Sequence, residues 1–248
     1  MCILWLSLAG CFPYSPMLIF CLLICVSKYN VYALVGGYMQ KNAFEIPVDL
    51  PDALWLQDHF SNYANSKSKI GLLVRQGVLY RLKRSLYMKA ADARDPYVIG
   101  KAANRIYGPS YVSFIYALRW HGLIPEHVVH VTSATYKKGR SKRYDTPVGS
   151  FLYQDVPAEA YPHGVVFTGE GEHRFLIASA EKALCDELYR SPVIRSMGRL
   201  EQLLFEDLRL DTWVFDQLDV GALTSLAERY KATTLGTFVK FIRKRSHA

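Results

Sequence analysis

The clearest pattern of apolar and polar positions along the chain lies between residues 66 and 88. Ile70, Leu73 and Val74 recur at the spacing of one helical face. Gly77 follows the last of them, at the place where a left-handed residue ends a helix at the least cost. After this glycine, Val78, Tyr80 and Leu82 alternate with Leu79, Arg81 and Lys83, which is the period of a β-strand. The pattern predicts a short helix followed by a basic hairpin.

The bounds of this unit can be read from the same residues. We predict a helix over Ser66–Gly77 with Ser66 as its N-cap, because a serine hydroxyl can accept from the free N–H groups of the first turn. The first strand then begins at Val78, the turn lies at Lys83–Ser85, and the return strand covers Leu86–Met88. A preceding helix, Pro51–Ala64, is expected to pack beneath Ser66–Gly77, with Asp49 as its cap.

The remainder of the chain mixes helical and strand periodicity and ends in helices. Helices are predicted at Asp95–Tyr107, at Tyr111–His121 with Ser110 as cap, from Ser179 to Tyr189, and within 197–245; strands are predicted at His127–Thr135, Val148–Val156, Gly164–Thr168 and Arg174–Ala178. This order predicts an α+β fold, with a mixed α/β C-terminal domain that ends in helices.

Charge and cysteine content narrow the class of protein. Thirty Lys and Arg against 22 Asp and Glu give a net charge of +8, which favours an anionic partner such as nucleic acid. Four of the five cysteines lie in residues 1–38, so the rest of the chain lacks the spread of cysteines typical of a secreted disulfide framework. We therefore predict a reduced, cytoplasmic protein.

Residues 1–38 differ from the rest of the chain, because Lys28 is their only charged side chain. The run Ile3–Val26 is long enough to cross a bilayer, but it contains Pro13 and Pro16 and lacks the positive start of a signal peptide. It is either a membrane anchor or a stretch upstream of a true translation start at Met39. We favour the second interpretation.

Two basic regions suggest contacts with nucleic acid. On the Ser66–Gly77 helix, the face opposite the apolar stripe carries side chains that can reach phosphates and base edges: Ser68, Lys69, Leu72, Arg75 and Gln76. The basic loop, defined here as Lys137–Arg143, is a candidate second phosphate-binding surface that would fix register without reading sequence. Its basic side chains are Lys137, Lys138, Arg140, Lys142 and Arg143. In both regions the alternative is a solvated charged surface.

No motif indicates an enzyme, a cofactor or a bound metal. Glu181 and Asp186 are five residues apart on one predicted helix, about 140° from each other, so they do not easily share a metal ion with Lys182 between them. A Mg²⁺-dependent nuclease is the enzymatic alternative, and its candidate carboxylates are Asp155, Glu170 and Glu172. A membrane-tethered adaptor is the other alternative, and it requires residues 1–38.

Three stretches together resemble the AbiEi-type antitoxins of abortive-infection, type IV toxin–antitoxin systems. They are KSKIGLLVRQGVLYRLKRSLY at 67–87, YGPSYVSFIYALRWHGLIPE at 107–126 with VTSATYKKGRSKRYDTPVGSFLY at 131–153, and FLIASAEKALCDELY at 175–189. Two departures stand out. Ser85 replaces the usual glycine of the wing turn, and Ala180 replaces a common proline.

The resemblance implies an N-terminal winged helix-turn-helix over 39–89 that represses its own operon. It also implies a C-terminal antitoxin domain over 95–248 that counters a nucleotidyltransferase-like toxin, usually without a stable complex. The expected partners are double-stranded operator DNA and this toxin, with a membrane involved only if residues 1–38 are translated. The implied DNA-binding positions are Lys67, Ser68, Lys69, Gly71, Arg75 and Gln76 on the helix, and Arg81, Lys83 and Arg84 on the wing.

Overall fold

The computed structural model describes residues 46–246, in which helices and strands are mixed and the last part is helical. The predicted extension 1–38 and the beginning of the predicted 39–89 module lie outside the described residues. The helices are α1 Ala53–His59, α2 Ser66–Arg75, α3 Pro96–Ile106, α4 Phe114–Trp120, α5 Ala180–Arg190, α6 Met197–Gln202, α7 Thr212–Asp216, α8 Val220–Arg229 and α9 Thr233–Arg245. The strands are β1 Leu79–Lys83, β2 Leu86–Lys89, β3 Tyr111–Val112, β4 Val131–Thr135, β5 Lys142–Thr146, β6 Gly149–Asp155, β7 Val165–Thr168 and β8 Phe175–Ala178.

The N-caps of the first two helices lie one to three residues from the positions that the sequence predicts. α1 is capped by Asp52, whose carboxylate accepts from the N–H groups of Leu54 and Trp55, so the prediction of Asp49 as its cap is wrong. α2 is capped by Asn65, whose side chain accepts from the N–H of Ser68. The predicted Ser66 cap is therefore wrong by one residue, because the amide side chain just before it reaches the same free N–H groups.

Six strands form the main sheet in the order β5-β6-β4-β3-β8-β7, apart from the separate β1–β2 hairpin. The prediction of one helix over Tyr111–His121 is wrong at its start. Tyr111 and Val112 form the central strand β3, which pairs with β4 on one side and β8 on the other. Their side chains are buried, so burial in the sheet overrides the helical spacing of the aromatic residues that follow.

The basic loop is shorter than predicted, because Lys142 and Arg143 begin β5, a strand that the pattern analysis did not identify. β5 pairs with β6, and its side chains alternate between half-buried and exposed. A charged edge strand lacks the alternation of apolar and polar side chains by which a strand is recognised in a sequence. The predicted strand His127–Thr135 is also shorter in the structure, where it begins at Val131.

One continuous core connects the hairpin with the rest of the described residues. Leu82, Leu86 and Met88 are buried in the same apolar cluster as Val98 of α3 and Phe238 of α9. The predicted linker at 90–94 contains a single 3-10 turn, Ala90–Asp92. The division into domains 39–89 and 95–248 stays a prediction.

A buried carboxylate also joins the beginning of the described chain to the sheet. Asp49 is 7% exposed, and its oxygens lie 3.8 Å from Lys89 Nζ, 3.6 Å from Lys101 Nζ and 3.3 Å from His173 Nδ1. These partners belong to β2, to α3 and to the turn before β8. Asp49 therefore holds three separate elements together, which explains why it does not cap α1.

Candidate nucleic-acid interface

The end of α2 sets the direction of the hairpin that follows. The N–H of Val78 donates to the carbonyl of Leu73 at 3.0 Å and the N–H of Gly77 donates to Val74 at 3.1 Å, which is a Schellman ending. Gly77 has the left-handed φ of +70° that this ending requires, as the sequence predicts. The helix therefore stops at a fixed point, and β1 leaves it at a defined angle.

Inside the hairpin, β1 departs from the strict alternation that the sequence predicts. Leu79 and Leu82 are both buried although they are three residues apart, because Leu82 is an extra residue in β1: Arg81 pairs with Tyr87 and Lys83 pairs with Leu86. This bulge leaves Arg81 exposed. Ser85 in the turn has a φ of +65°, so this position adopts the left-handed conformation, in which a serine side chain is strained.

A groove of about 600 Å³ lies between α1, α2 and the hairpin. Lys67 and Gly71 of α2 line one side of it, and Arg81 and Arg84 line the other. We call it the basic groove. Lys67, Arg81 and Arg84 are exposed, and within residues 46–246 no carboxylate forms an ion pair with any of them. Like charges that converge without a counter-charge repel each other and attract an anion.

Gly71 contributes space to this groove. A Cβ atom at this position would approach only Arg75 Nη1, at the ordinary contact distance of 3.7 Å. Packing within the described residues therefore does not require glycine here, although glycine in a helix interior costs roughly 1 kcal/mol relative to alanine. A glycine that the fold does not need is typical of a surface that another molecule's backbone approaches closely.

The remaining predicted positions of α2 lie mostly on its outer face. Ser68, Arg75 and Gln76 are exposed, and so is Leu72, which is 38% exposed. Lys69 is half-buried, and its ammonium nitrogen lies 5.0 Å from the centroid of the Tyr63 ring. The structure thus divides the predicted helix residues between the basic groove and the outward face of α2.

Lys83 points away from both surfaces. Its ammonium group donates to the carbonyls of Arg105 and Ile106 at the C-terminal end of α3, each at 2.7 Å. Burial lowers the pKa of Lys83, and the neighbouring Arg105 guanidinium lowers it further. A cation at the negative end of a helix is stabilising in its own right. Lys83 therefore anchors the hairpin, and we leave it out of the proposed DNA-binding surface.

The basic loop is held from beneath by Asp155 at the end of β6. One carboxylate oxygen accepts from the backbone N–H groups of Lys138 and Gly139, each at 2.7 Å, and the other accepts from the hydroxyl of Thr135. Lys137 and Gly139 adopt left-handed φ values of +54° and +69° in this turn. The loop therefore has a defined conformation, because hydrogen bonds to the Asp155 carboxylate hold its backbone.

Only part of the loop's charge is available to a partner. Arg143 is paired with Asp145 at 2.8 Å, and the Lys138 ammonium donates to the carbonyl of Gly108 at 3.2 Å. The Lys142 ammonium lies 5.6 Å from the centroid of the Tyr144 ring. Lys137 and Arg140 are exposed, and neither has an ion-pair partner among the residues that the structure describes.

The hairpin and the basic loop share an anchor. Lys83 binds the carbonyl of Ile106 and Lys138 binds that of Gly108, two residues further along the end of α3. β1 also contacts β5 directly. The two basic regions that the sequence places about 55 residues apart are thus neighbours on one side of the protein.

The structure contains a buried polar cluster that the sequence did not predict. Lys182 and Asp186 are fully buried one turn apart on α5, with 3.3 Å between Nζ and Oδ1. The ammonium donates to the Ala160 carbonyl at 2.7 Å and to the Tyr230 hydroxyl at 2.6 Å. The carboxylate accepts from three hydroxyl groups, those of Tyr111, Ser113 and Tyr230.

Burial lowers the pKa of Lys182, and the Asp186 carboxylate opposes that effect. Every charged atom of the pair has a partner, which is what makes a buried ion pair tolerable. The sequence signal was an i,i+4 pair of opposite charges on one helix, but the partners on three other segments could not be predicted from it. The cluster is closed to solvent, so its role is to hold α5 to the sheet and to Tyr230.

The carboxylates of the nuclease alternative do not converge. Asp155 ends β6, whereas Glu170 and Glu172 lie in the turn between β7 and β8. The sheet order separates β6 from β7 by four strand spacings, about 19 Å. Across residues 46–246, no three His, Cys, Asp or Glu side chains gather in a way that could hold a metal ion. None of the helices described here combines the length and apolar character of a membrane span.

Comparison with protein-family models finds no match to this chain, and comparison with curated proteins finds none either.

Proposed function

We propose that the chain is a DNA-binding transcriptional repressor, and that Ile46–Lys89 is the described part of a winged helix. The observation that carries the proposal is the basic groove. Residues 66–89 contain seven basic side chains and no acidic one, and the fold brings Lys67, Arg81 and Arg84 from both halves of this stretch to a single groove. A groove of this charge suits the phosphate backbone of a duplex.

In this proposal the outward face of α2 enters the major groove. Arg75 and Gln76 are long enough to reach base edges, and Leu72 can contact a thymine methyl group. The flanking phosphate backbone lies in the basic groove, where Gly71 permits close approach and Arg81 and Arg84 supply charge. Lys137 and Arg140 of the basic loop contact the backbone further along, because the loop and the hairpin share an anchor on α3.

The antitoxin role rests on the resemblance to the AbiEi-type family. We propose that the chain represses its own toxin–antitoxin operon and that the part from about Asp95 onward counters a nucleotidyltransferase-like toxin. The double variant Arg81→Ala with Arg84→Ala separates the two roles when repression and toxin neutralisation are both measured in cells, because it leaves the apolar core that the hairpin shares with the rest of the chain intact. Repression is lost and neutralisation is retained if the roles are separable, whereas loss of both contradicts a separate antitoxin domain.

The DNA-binding proposal is tested by salt-dependent binding of the full chain to the DNA upstream of its own gene. Each phosphate contact that is removed lowers the slope of log K against log salt by roughly 0.9, so Arg81→Ala with Arg84→Ala should flatten it by about two units. Lys240→Ala is the charge-matched control, because Lys240 is exposed on α9 and belongs to neither basic region. It should leave the slope unchanged.

Arg75→Ala tests the base-reading part of the proposal. It should weaken binding to the upstream DNA about tenfold or more, and binding to unrelated DNA much less, because a base contact discriminates between sequences. Equal losses on both DNAs would restrict Arg75 to phosphate contact. An absence of binding by the full chain at low salt, or an unchanged slope in the double variant, would contradict the proposal itself.

A further inference from the structure

The two edges of the six-stranded sheet are treated differently. β5, at one edge, carries Lys142, Arg143 and Asp145, and the β1–β2 hairpin contacts it. Charged side chains and a covering element are the usual means of preventing an edge strand from pairing with another chain. β7, at the other edge, reads Val-Val-Phe-Thr and contains no charged residue. Among the described residues, no strand pairs with its outer side.

The exposed side chains of β7 are large and apolar. Phe167 is 71% exposed and Val166 is 43% exposed, although both belong to a regular strand paired with β8. A single exposed apolar residue needs no explanation. Two adjacent ones on opposite faces of an uncharged edge strand leave apolar surface on either side of an open backbone edge, which is the property that favours strand addition.

The hydrogen-bond pattern shows which backbone groups of β7 face outward. The N–H of Ser179 donates to the carbonyl of Gly164 at 2.7 Å, so these two residues form a hydrogen-bonded pair at the end of the ladder. Hydrogen-bonded pairs alternate with non-bonded pairs along an antiparallel ladder. Val166 therefore bonds to β8, and the N–H and carbonyl of Phe167 point to the open side.

We propose that two copies of this chain associate through their β7 strands, paired antiparallel about a two-fold axis at Phe167. In this register Phe167 of each copy exchanges both of its outward backbone hydrogen bonds with the other, and the two rings form a cross-strand aromatic pair. The main sheets of the two copies then join into one sheet. An isologous contact of this kind closes on itself and stops at a dimer.

The uncharged strip and the residues at its two ends suit a second copy as the occupant. A chain with a net charge of +8 repels its own copies over most of its surface, and β7 offers an uncharged strip. His163 precedes this strip and Glu170 follows it, and both are exposed. Antiparallel pairing places the Glu170 end of each copy beside the His163 end of the other, and an imidazole N–H can donate to a carboxylate, so the strand ends are complementary to themselves.

A contact of four residues on each side buries less surface than a standard stable interface of about 1,600 Å². The association should therefore be reversible and depend on protein concentration. The proposal concerns the sheet edge alone, and it does not depend on the DNA-binding proposal.

Sedimentation velocity of the full chain over rising protein concentration measures the association directly. The chain should shift from monomer to dimer, and Phe167→Lys should raise the dissociation constant about tenfold or more, because it places a like charge at the two-fold axis. Trp213→Lys is the matched control, since Trp213 is equally exposed, at 73%, but lies on α7. It should dimerise as the natural chain does.

Amide hydrogen exchange followed residue by residue provides a second measurement that needs no substitution. The Phe167 amide should exchange rapidly in dilute protein and become protected as the dimer forms, whereas the Val166 amide should be protected throughout. A natural chain that stays monomeric with an unprotected Phe167 amide would overturn the proposal. So would a dimer that Phe167→Lys leaves intact.

Discussion

The basic groove and the buried polar cluster both concentrate charge, but they differ in where the charge finds its partner. In the cluster, Lys182 and Asp186 are fully buried, and each of their charged groups binds atoms of the same chain. In the groove, Lys67, Arg81 and Arg84 are exposed and converge without a described carboxylate partner. The first arrangement stabilises the fold, whereas the second leaves a repulsion for another molecule to relieve.

A charged residue can therefore be present for two different reasons, to stabilise the fold or to bind a partner. Removing a member of the cluster leaves an uncompensated polar atom inside the protein, so the fold is what suffers. Removing an exposed, unpaired cation changes stability by only about 0.5 kcal/mol in either direction, so the partner is what is affected. Stability and binding measurements on matched variants can therefore assign each region to the fold or to a partner.

The largest effect on stability is expected from Asp186→Ala. This change removes the acceptor of three hydroxyl groups and leaves the Lys182 ammonium buried without a counter-charge, which should lower the free energy of unfolding by about 3–5 kcal/mol. Urea unfolding followed by circular dichroism measures it. Asp216→Ala is the control, because Asp216 pairs with Arg245 at the surface and should cost less than about 1 kcal/mol.

If Asp186→Ala and Asp216→Ala destabilised the protein equally, the cluster would be no more important to the fold than a surface ion pair. That result would contradict the stabilising role assigned to the buried polar cluster.

Sequence patterns predicted the elements that carry their own local signals. The positive φ of Gly77, the position of the hairpin and the Ser179 cap of α5 all depend on residues within one or two turns of each other. The predictions failed where distant partners decide the structure. Tyr111 lies in a strand because β4 and β8 flank it. Asp49 lies close to Lys101 and other distant groups and does not cap α1.

The candidate site likewise depends on both local and distant residues. Basic residues on α2 and on the hairpin could be identified from spacing, but the groove between them depends on the bulge at Leu82 and on the Schellman ending of α2. Lys83 has the same chemistry as its neighbours in the sequence. Only the position of the α3 carbonyls shows that it serves the fold and not the groove.

Gly71→Ala should move stability and binding in opposite directions. Alanine in the interior of α2 should raise the free energy of unfolding by up to about 1 kcal/mol, because the new Cβ meets no clash within the chain. The same Cβ narrows the basic groove, so binding to the upstream DNA should weaken about tenfold, a loss of about 1.4 kcal/mol. Thermal unfolding and titration at fixed salt measure the two quantities.

Gly236→Ala provides the control for this prediction, because Gly236 lies within α9 and a Cβ there meets nothing within 4 Å. It should stabilise the protein by a similar amount and leave DNA binding unchanged. A Gly71→Ala variant that bound DNA as tightly as the natural chain would show that DNA does not approach the Gly71 side of the basic groove, and it would weaken the contrast with the buried cluster.

The smallest expected effect is at the turn of the hairpin, where Ser85 has a φ of +65°. Because a side chain in this conformation costs about 1 kcal/mol, Ser85→Gly should stabilise the protein by somewhat less than that, part being offset by the greater freedom of glycine in the unfolded chain. The backbone carbonyl of residue 85 still accepts from Ala53, so the hairpin keeps its anchor on α1. Ser68→Gly is the matched control, since the same substitution within α2 should cost about 0.5 kcal/mol. Opposite signs in urea unfolding would show that the groove side of the molecule retains strain that its own fold does not require, whereas a loss of stability in both variants would mean that the Ser85 turn is not strained.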